Sequence, residues 1–200
     1  MFSKDIKKDF GLDKCAKATF KRGKLVKSTN IRLDTNTAIK DLDQERFYKY
    51  LGVTERDGIE HSTMKEQIRK DYYRRVRLVL NSELNAANII TAINTLAVPL
   101  VSYSFSIIHC TLTELKKLDR KTRKFLAMNK MHHPKADVDR IYLPRKEGGR
   151  GLIQIENSYK LSTVGMNVYI NEKDDKHVKL VLQHEMAKKK YSIVREADKF

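Results

Sequence analysis

Two hundred residues, 40% of them hydrophobic and only three of them proline, suffice for one medium domain or two small ones and exclude wholesale disorder. Forty-one Lys and Arg against 25 Asp and Glu leave a formal charge of +16 and a pI of about 9.8, an imbalance that attracts polyanions, with nucleic acid first and an anionic membrane surface second. Cys15 and Cys110 are too few and too far apart for a disulfide framework or a zinc site, which points to a reducing intracellular compartment, and Met1-Phe2-Ser3-Lys4-Asp5 lacks the apolar core of a secretory signal.

After a short helical start, residues 1–60 read as strands and turns. Lys24 to Ser28, Asn30 to Leu33 and Phe47 to Val53 carry β-branched or aromatic residues, broken by Gly23 and by Asp34-Thr35-Asn36-Thr37. The expectation is a small antiparallel sheet that needs a further layer to be stable.

The period turns helical at Thr63. Thr63 and Glu66 have capping-box spacing, and Met64, Ile68, Tyr72, Val76 and Leu80 recur every four residues as one apolar stripe. From Leu84 to Thr113 no residue is formally charged. A membrane span would want about 20 predominantly apolar residues, but Asn85, Asn88, Asn94, Ser102, Ser104 and Ser106 interrupt this stretch and favour a buried helix, kinked near Pro99. Thr111 and Glu114 repeat the capping-box spacing and open a third helix to about Asn129, with Leu112, Leu115, Leu118, Phe125 and Leu126 as its buried stripe. Residues 111–130 hold seven basic and two acidic side chains. The fold class expected is therefore α+β, mostly α: a small sheet over residues 1–60, and a neutral central helix between two basic ones over 61–131. A hairpin and helix over 132–171 and a polar tail over 172–200 complete it.

Several other features carry no chemistry of their own. Asp174-Asp175 lies in a polar stretch after Glu172-Lys173, adjacent His132 and His133 lack the partners of a metal site, and Gly148-Gly149-Arg150-Gly151 lacks the lysine-serine/threonine ending of a phosphate-binding loop. No metal ligand set is assigned, and no Ser/His/Asp or Cys/His constellation is assembled.

Three blocks nevertheless stand in a telling order. Gly11-Leu12-Asp13-Lys14-Cys15 comes first and Tyr50-Leu51-Gly52-Val53 second. The third runs from Ala92-Ile93-Asn94-Thr95-Leu96-Ala97-Val98-Pro99 through Leu118 to Lys124 and His132-His133-Pro134-Lys135 to Leu143-Pro144-Arg145-Lys146-Glu147-Gly148-Gly149-Arg150-Gly151-Leu152. Over about residues 10–160 the chain resembles the end of the palm and the thumb of a reverse transcriptase from a non-LTR (LINE-like) retrotransposon. It departs from that family at Ser102, where a basic residue is common, and at Cys110, where a tryptophan is.

The resemblance implies that Lys14 matches a palm lysine near the incoming triphosphate, a proton donor to the leaving pyrophosphate in the intact parent. Tyr50, Leu51 and Gly52 match the primer grip. The basic thumb helices then lie along an RNA/DNA template-primer duplex and touch phosphates and sugars, not base edges, with Arg69, Arg74, Arg75, Arg120, Lys121, Arg123 and Lys124 as candidates and Arg145, Lys146 and Arg150 on the glycine turn. The intact parent uses magnesium held by aspartates that precede these blocks. Nothing upstream of Asp13 could supply them, so the chain is expected to bind nucleic acid without polymerising it, to need no cofactor itself, and to act in the nucleus. The alternative is a stand-alone basic helical nucleic-acid-binding protein; a membrane-associated protein using residues 84–113 ranks third.

Overall fold

Short β-branched runs followed by long helical periods produce two units in the computed structural model, residues 1–60 and 61–200. It describes residues 15–22, 24–29, 31–34, 37–41, 48–50, 53–55, 60–188 and 191–200. The fold is α+β and mostly α.

In the first unit, β1 (Ala16–Lys17), β5 (Thr37–Asp41) and β4 (Ile31–Asp34) form one sheet in that order. β4 and β5 are antiparallel, with the register shifting between Arg32 and Asp34, while β1 joins β5 in parallel, so the sheet is mixed where an antiparallel one was expected. β2 (Thr19–Lys21) pairs with β3 (Lys24–Val26), and β6 (Tyr48–Tyr50) with β7 (Val53–Glu55). Lys17 donates to Ser28 Oγ at 2.7 Å and to the Thr29 carbonyl at 2.8 Å.

The second unit begins with α1 (His61–Leu80). It starts two residues before Thr63, so the capping box expected there does not form and Glu66 instead pairs with Lys70 at 3.0 Å. Its stripe is as the spacing demands: Met64, Tyr72, Val76 and Leu80 are buried, Tyr73 and Val79 widen the face, and Ile68 is half-buried. Burying each large apolar side chain contributes about 1.5–3 kcal/mol. The uncharged stretch buries one face and leaves Leu84, Leu96 and Tyr103 exposed. α2 (Ala86–Ala92), a π-helical segment (Ile93–Ala97) and α3 (Val98–Ser102) run on without a break, burying Ile89, Ile90, Ile93, Ala97, Val98 and Val101. Pro99 has no N–H and its ring crowds the preceding turn; the helix accommodates it by widening, and the Val98 N–H reaches back to the Ile93 carbonyl. Among the described residues no helix is long and apolar enough to cross a membrane.

α4 (Leu112–Met128) opens on the expected capping box. Thr111 Oγ1 accepts from the Glu114 N–H at 3.3 Å and Glu114 Oε2 accepts from the Thr111 N–H at 2.8 Å. Leu115, Leu118 and Leu126 are buried, and so are Asp119 and Thr122. Tyr72 and Thr122 join α1 to α4 at 2.9 Å; Thr122 gives its own proton to the Leu118 carbonyl, so Tyr72 is the donor.

Beyond α4 the expected hairpin is not one. Residues 139–152 form α5 (Asp139–Tyr142) and one 3-10 turn at Arg145–Glu147. The loop is closed by hairpin-like backbone bonds from Arg150 N to Arg140 O at 2.9 Å, Gly151 N to Leu143 O at 2.8 Å and Leu152 N to Ile141 O at 3.0 Å. Pro144 supplies no N–H for a ladder, and Gly148 and Gly151, at φ +79° and +75°, turn the chain where a strand would run on. α6 (Ile155–Glu172) follows. The polar stretch after it is also helical: α7 (Lys176–Ala187) and α8 (Ile193–Ala197) pack onto α6, with Ala197 buried and Phe200 edge-on to Tyr159 at 6.1 Å.

Candidate nucleic-acid interface

α1 and α4 are the walls of a groove of about 1100 Å³. Arg69, Tyr73 and Arg77 recur four residues apart on α1, and Lys117 and Lys121 four apart on α4, so each helix presents one basic edge to the space between them. Ile68, Val101, Ile108, Leu115 and Leu118 contribute its apolar lining. Lys121 Nζ lies 4.4 Å from the centre of the Tyr73 ring, and the Arg77 guanidinium 5.0 Å from that of Phe125. Cation–π contact holds both charges on rings without neutralising them.

Two further cations at the groove are neutralised in place. Lys70 faces Glu66, and Lys65 faces Glu114 at 2.9 Å. Burial alone would raise the Glu114 carboxyl, but the Thr111 N–H and the Lys65 ammonium outweigh it and hold the group below its ordinary value. Arg69, Arg77, Lys117 and Lys121 form no ion pair among the described residues. Four unneutralised cations around one concave surface attract a chain of phosphates and can displace its counterions.

The basic residues expected to act together separate onto different faces. Arg69 and Lys121 line the groove, whereas Arg74, Arg75, Arg120, Arg123 and Lys124 do not. Arg74 turns to Asp71 at 3.6 Å. Arg75 donates to the Leu96 carbonyl at 2.6 Å, in the π-helical segment. Arg123 donates to Tyr142 Oη at 2.7 Å on the opposite flank of α4, while Arg120 and Lys124 stand exposed. Arg77 and Lys117 belong to the groove and were not singled out; the four-residue spacing to Tyr73 and Lys121 is the signal that marks them. Tyr50 sits on β6, paired with Val53, and Lys14, Leu51 and Gly52 lie outside the described residues.

Arg145, Lys146 and Arg150 lie on the glycine loop, which supplies no residue to the groove lining. Asn94 of the π-helical segment clamps this loop, donating from Nδ2 to the Gly151 carbonyl at 2.8 Å and accepting at Oδ1 from the Ile153 N–H at 2.9 Å. Asp119 of α4 accepts from the Ile155 and Glu156 N–H groups at 3.0 and 3.1 Å, capping α6 from a distance where Gln154 offers no side-chain cap. Burial is the largest influence on Asp119 and leaves its carboxyl above the ordinary value despite those donors.

The aspartate pair has structural work. Asp175 caps α7, accepting from the His177 and Val178 N–H groups at 2.8 and 3.1 Å, and Asp174 meets Lys179 at 2.5 Å. Among the described residues no cluster of His, Cys, Asp or Glu could hold a metal ion. Compared with protein-family models, with curated proteins and with solved structures, the chain matches none.

Proposed function

We propose that this chain is the palm end and thumb of a non-LTR retrotransposon reverse transcriptase, and that its own activity is to hold an RNA/DNA template-primer hybrid in the groove between α1 and α4. The observation that carries the reading is the set of four cations around one groove, Arg69, Arg77, Lys117 and Lys121, none of which forms an ion pair among the described residues. Each phosphate they neutralise releases a counterion, giving affinity without sequence preference. In the intact polymerase Lys14 acts beside the incoming triphosphate and the Tyr50-Leu51-Gly52 segment at the primer end, and magnesium ions supply the phosphoryl-transfer chemistry. The residues of this chain bind and orient.

Fluorescence anisotropy of a labelled RNA–DNA hybrid against the full chain tests this. Binding should weaken with salt at a logarithmic slope of about 0.9 per neutralised phosphate, and Arg69→Glu with Lys121→Glu should lower that slope by about two. Salt-independent binding, or none, overturns the proposal. Template-dependent nucleotide incorporation by the purified chain overturns the view that it only binds.

A second reading has its own support: residues 61–200 enclose a core that runs from Tyr72 of α1 to Ile155 and Tyr159 of α6, as suits a stand-alone nucleic-acid-binding protein. That reading predicts a monodisperse chain with one cooperative thermal transition. A thumb separated from its palm predicts aggregation through exposed apolar surface, detected by light scattering.

A further inference from the structure

We propose that the glycine loop, residues 143–151, is a second phosphate-backbone site distinct from the groove, so that one chain holds two polynucleotide segments at once. The inference rests on the groove reading and extends it.

Location comes first. The loop docks on Asn94 and, through the Tyr142–Arg123 contact, on the flank of α4 turned away from Lys117 and Lys121. The two basic surfaces are therefore separated by the body of α4, a helix about 10–12 Å across with its side chains.

Rigidity comes second. Asn94 spends its polar atoms on Gly151 at the end of the loop and on the adjoining Ile153, and four backbone bonds close within residues 143–151. At Gly149 a Cβ would lie 2.0 Å from the Leu143 carbonyl oxygen, so only glycine allows the two backbone segments to approach. An exposed loop held this firmly presents its side chains at little further entropic cost on binding.

Charge comes third. Arg140, Arg145, Lys146 and Arg150 form no ion pair among the described residues, and Arg123 donates to the Tyr142 hydroxyl, its guanidinium 5.9 Å from that ring. Asp139 and Glu147 are the acids of the same stretch, and the cations outnumber them. The buried His132 senses the excess: burial first, then Arg150, lowers its pKa. Guanidinium forks on a fixed loop fit phosphate oxygens, which accept two parallel N–H bonds.

The test uses the full chain and short RNA–DNA hybrids of about one helical turn, half carrying a donor dye and half an acceptor. Sedimentation counts hybrids per chain, and energy transfer reports two hybrids held together. The wild type should bind two hybrids and give transfer. Arg145→Glu with Lys146→Glu, both exposed, should reduce the count to one and abolish transfer while leaving the remaining affinity within about twofold, since rim charges far from a site contribute little to it. Arg69→Glu with Lys121→Glu should remove the other hybrid. One hybrid per chain in the wild type, or a count left at two in the loop variant, overturns the second site and leaves the groove standing. No binding by the wild type overturns both. Far-ultraviolet circular dichroism of each variant separates lost charge from lost fold.

Discussion

On the groove flank of α4, Lys117 and Lys121 stand opposite Arg69 and Arg77 of α1, and none of the four forms an ion pair among the described residues, whereas on the loop flank the side chains of α4 are engaged in building. There Asp119 caps α6, Arg123 holds Tyr142, and Lys116 lies 3.9 Å from Glu156, which Lys160 also meets at 2.8 Å. The two carboxyls of this helix differ in the same way. Glu114, at the groove end, is held below its ordinary value by its donors, and Asp119, buried under the loop, is pushed above it. On α4 itself, charge is thus left unspent at Lys117 and Lys121 and engaged by the fold at Lys116, Asp119 and Arg123, and the basic residues of one helix cannot be counted together as one binding surface.

The comparison breaks most severely at Asp119. Asp119→Ala leaves two buried N–H groups at the start of α6 without acceptors, which should cost about 2–4 kcal/mol in urea unfolding, while hybrid affinity at the groove is preserved. Gly149→Ala forces Leu143 and the loop apart and should cost about 1–3 kcal/mol by the same measurement. In the core between α1 and α4, Tyr72→Phe removes the hydrogen bond to the Thr122 hydroxyl and should cost about 1 kcal/mol. The smallest effect is in pH dependence. Because the pKa of Glu114 is depressed, its contribution to stability is present above its ordinary value of about 4.5 and is lost as pH falls through the lowered one. Asp119 has the opposite sign: its contribution is present below the ordinary carboxylate range and is lost as pH rises through the raised value. Carboxyl-carbon NMR titration should find Glu114 ionising first and Asp119 later.

Much of the helical unit was legible because it rests on periodicity. The stripe of α1, the uncharged helical segment with its buried face and the capping box at Thr111 all follow from local spacing, and local spacing decides which face is buried. What depends on distant partners was not legible. Asp119 and Thr122 fall among polar residues in the sequence, and only their contacts with Ile155 and Tyr72, more than 30 residues away, explain their burial. Thr63 matched a cap that the chain does not use, because α1 already has helical backbone two residues earlier. Arg75 looked like any other arginine of α1, but a π-helical turn beyond the reach of helix spacing leaves the Leu96 carbonyl for it to bind. The lysine-rich stretch after α6 read as a tail because its ordering depends on Asp175 and on buried Glu185, which meets Lys188 and accepts from the Ile193 N–H at 3.0 Å.

One charge-matched comparison tests the central claim directly. Arg69→Glu with Lys121→Glu and Lys173→Glu with Lys176→Glu change the net charge equally, the first pair at the groove and the second on exposed positions around the start of α7. Anisotropy titrations of an RNA–DNA hybrid should show the groove variant losing affinity at least about tenfold more than the tail variant, because phosphates bind at a surface and not to a total. Equal losses would contradict the account, since the groove would then be no more than part of a uniformly basic exterior.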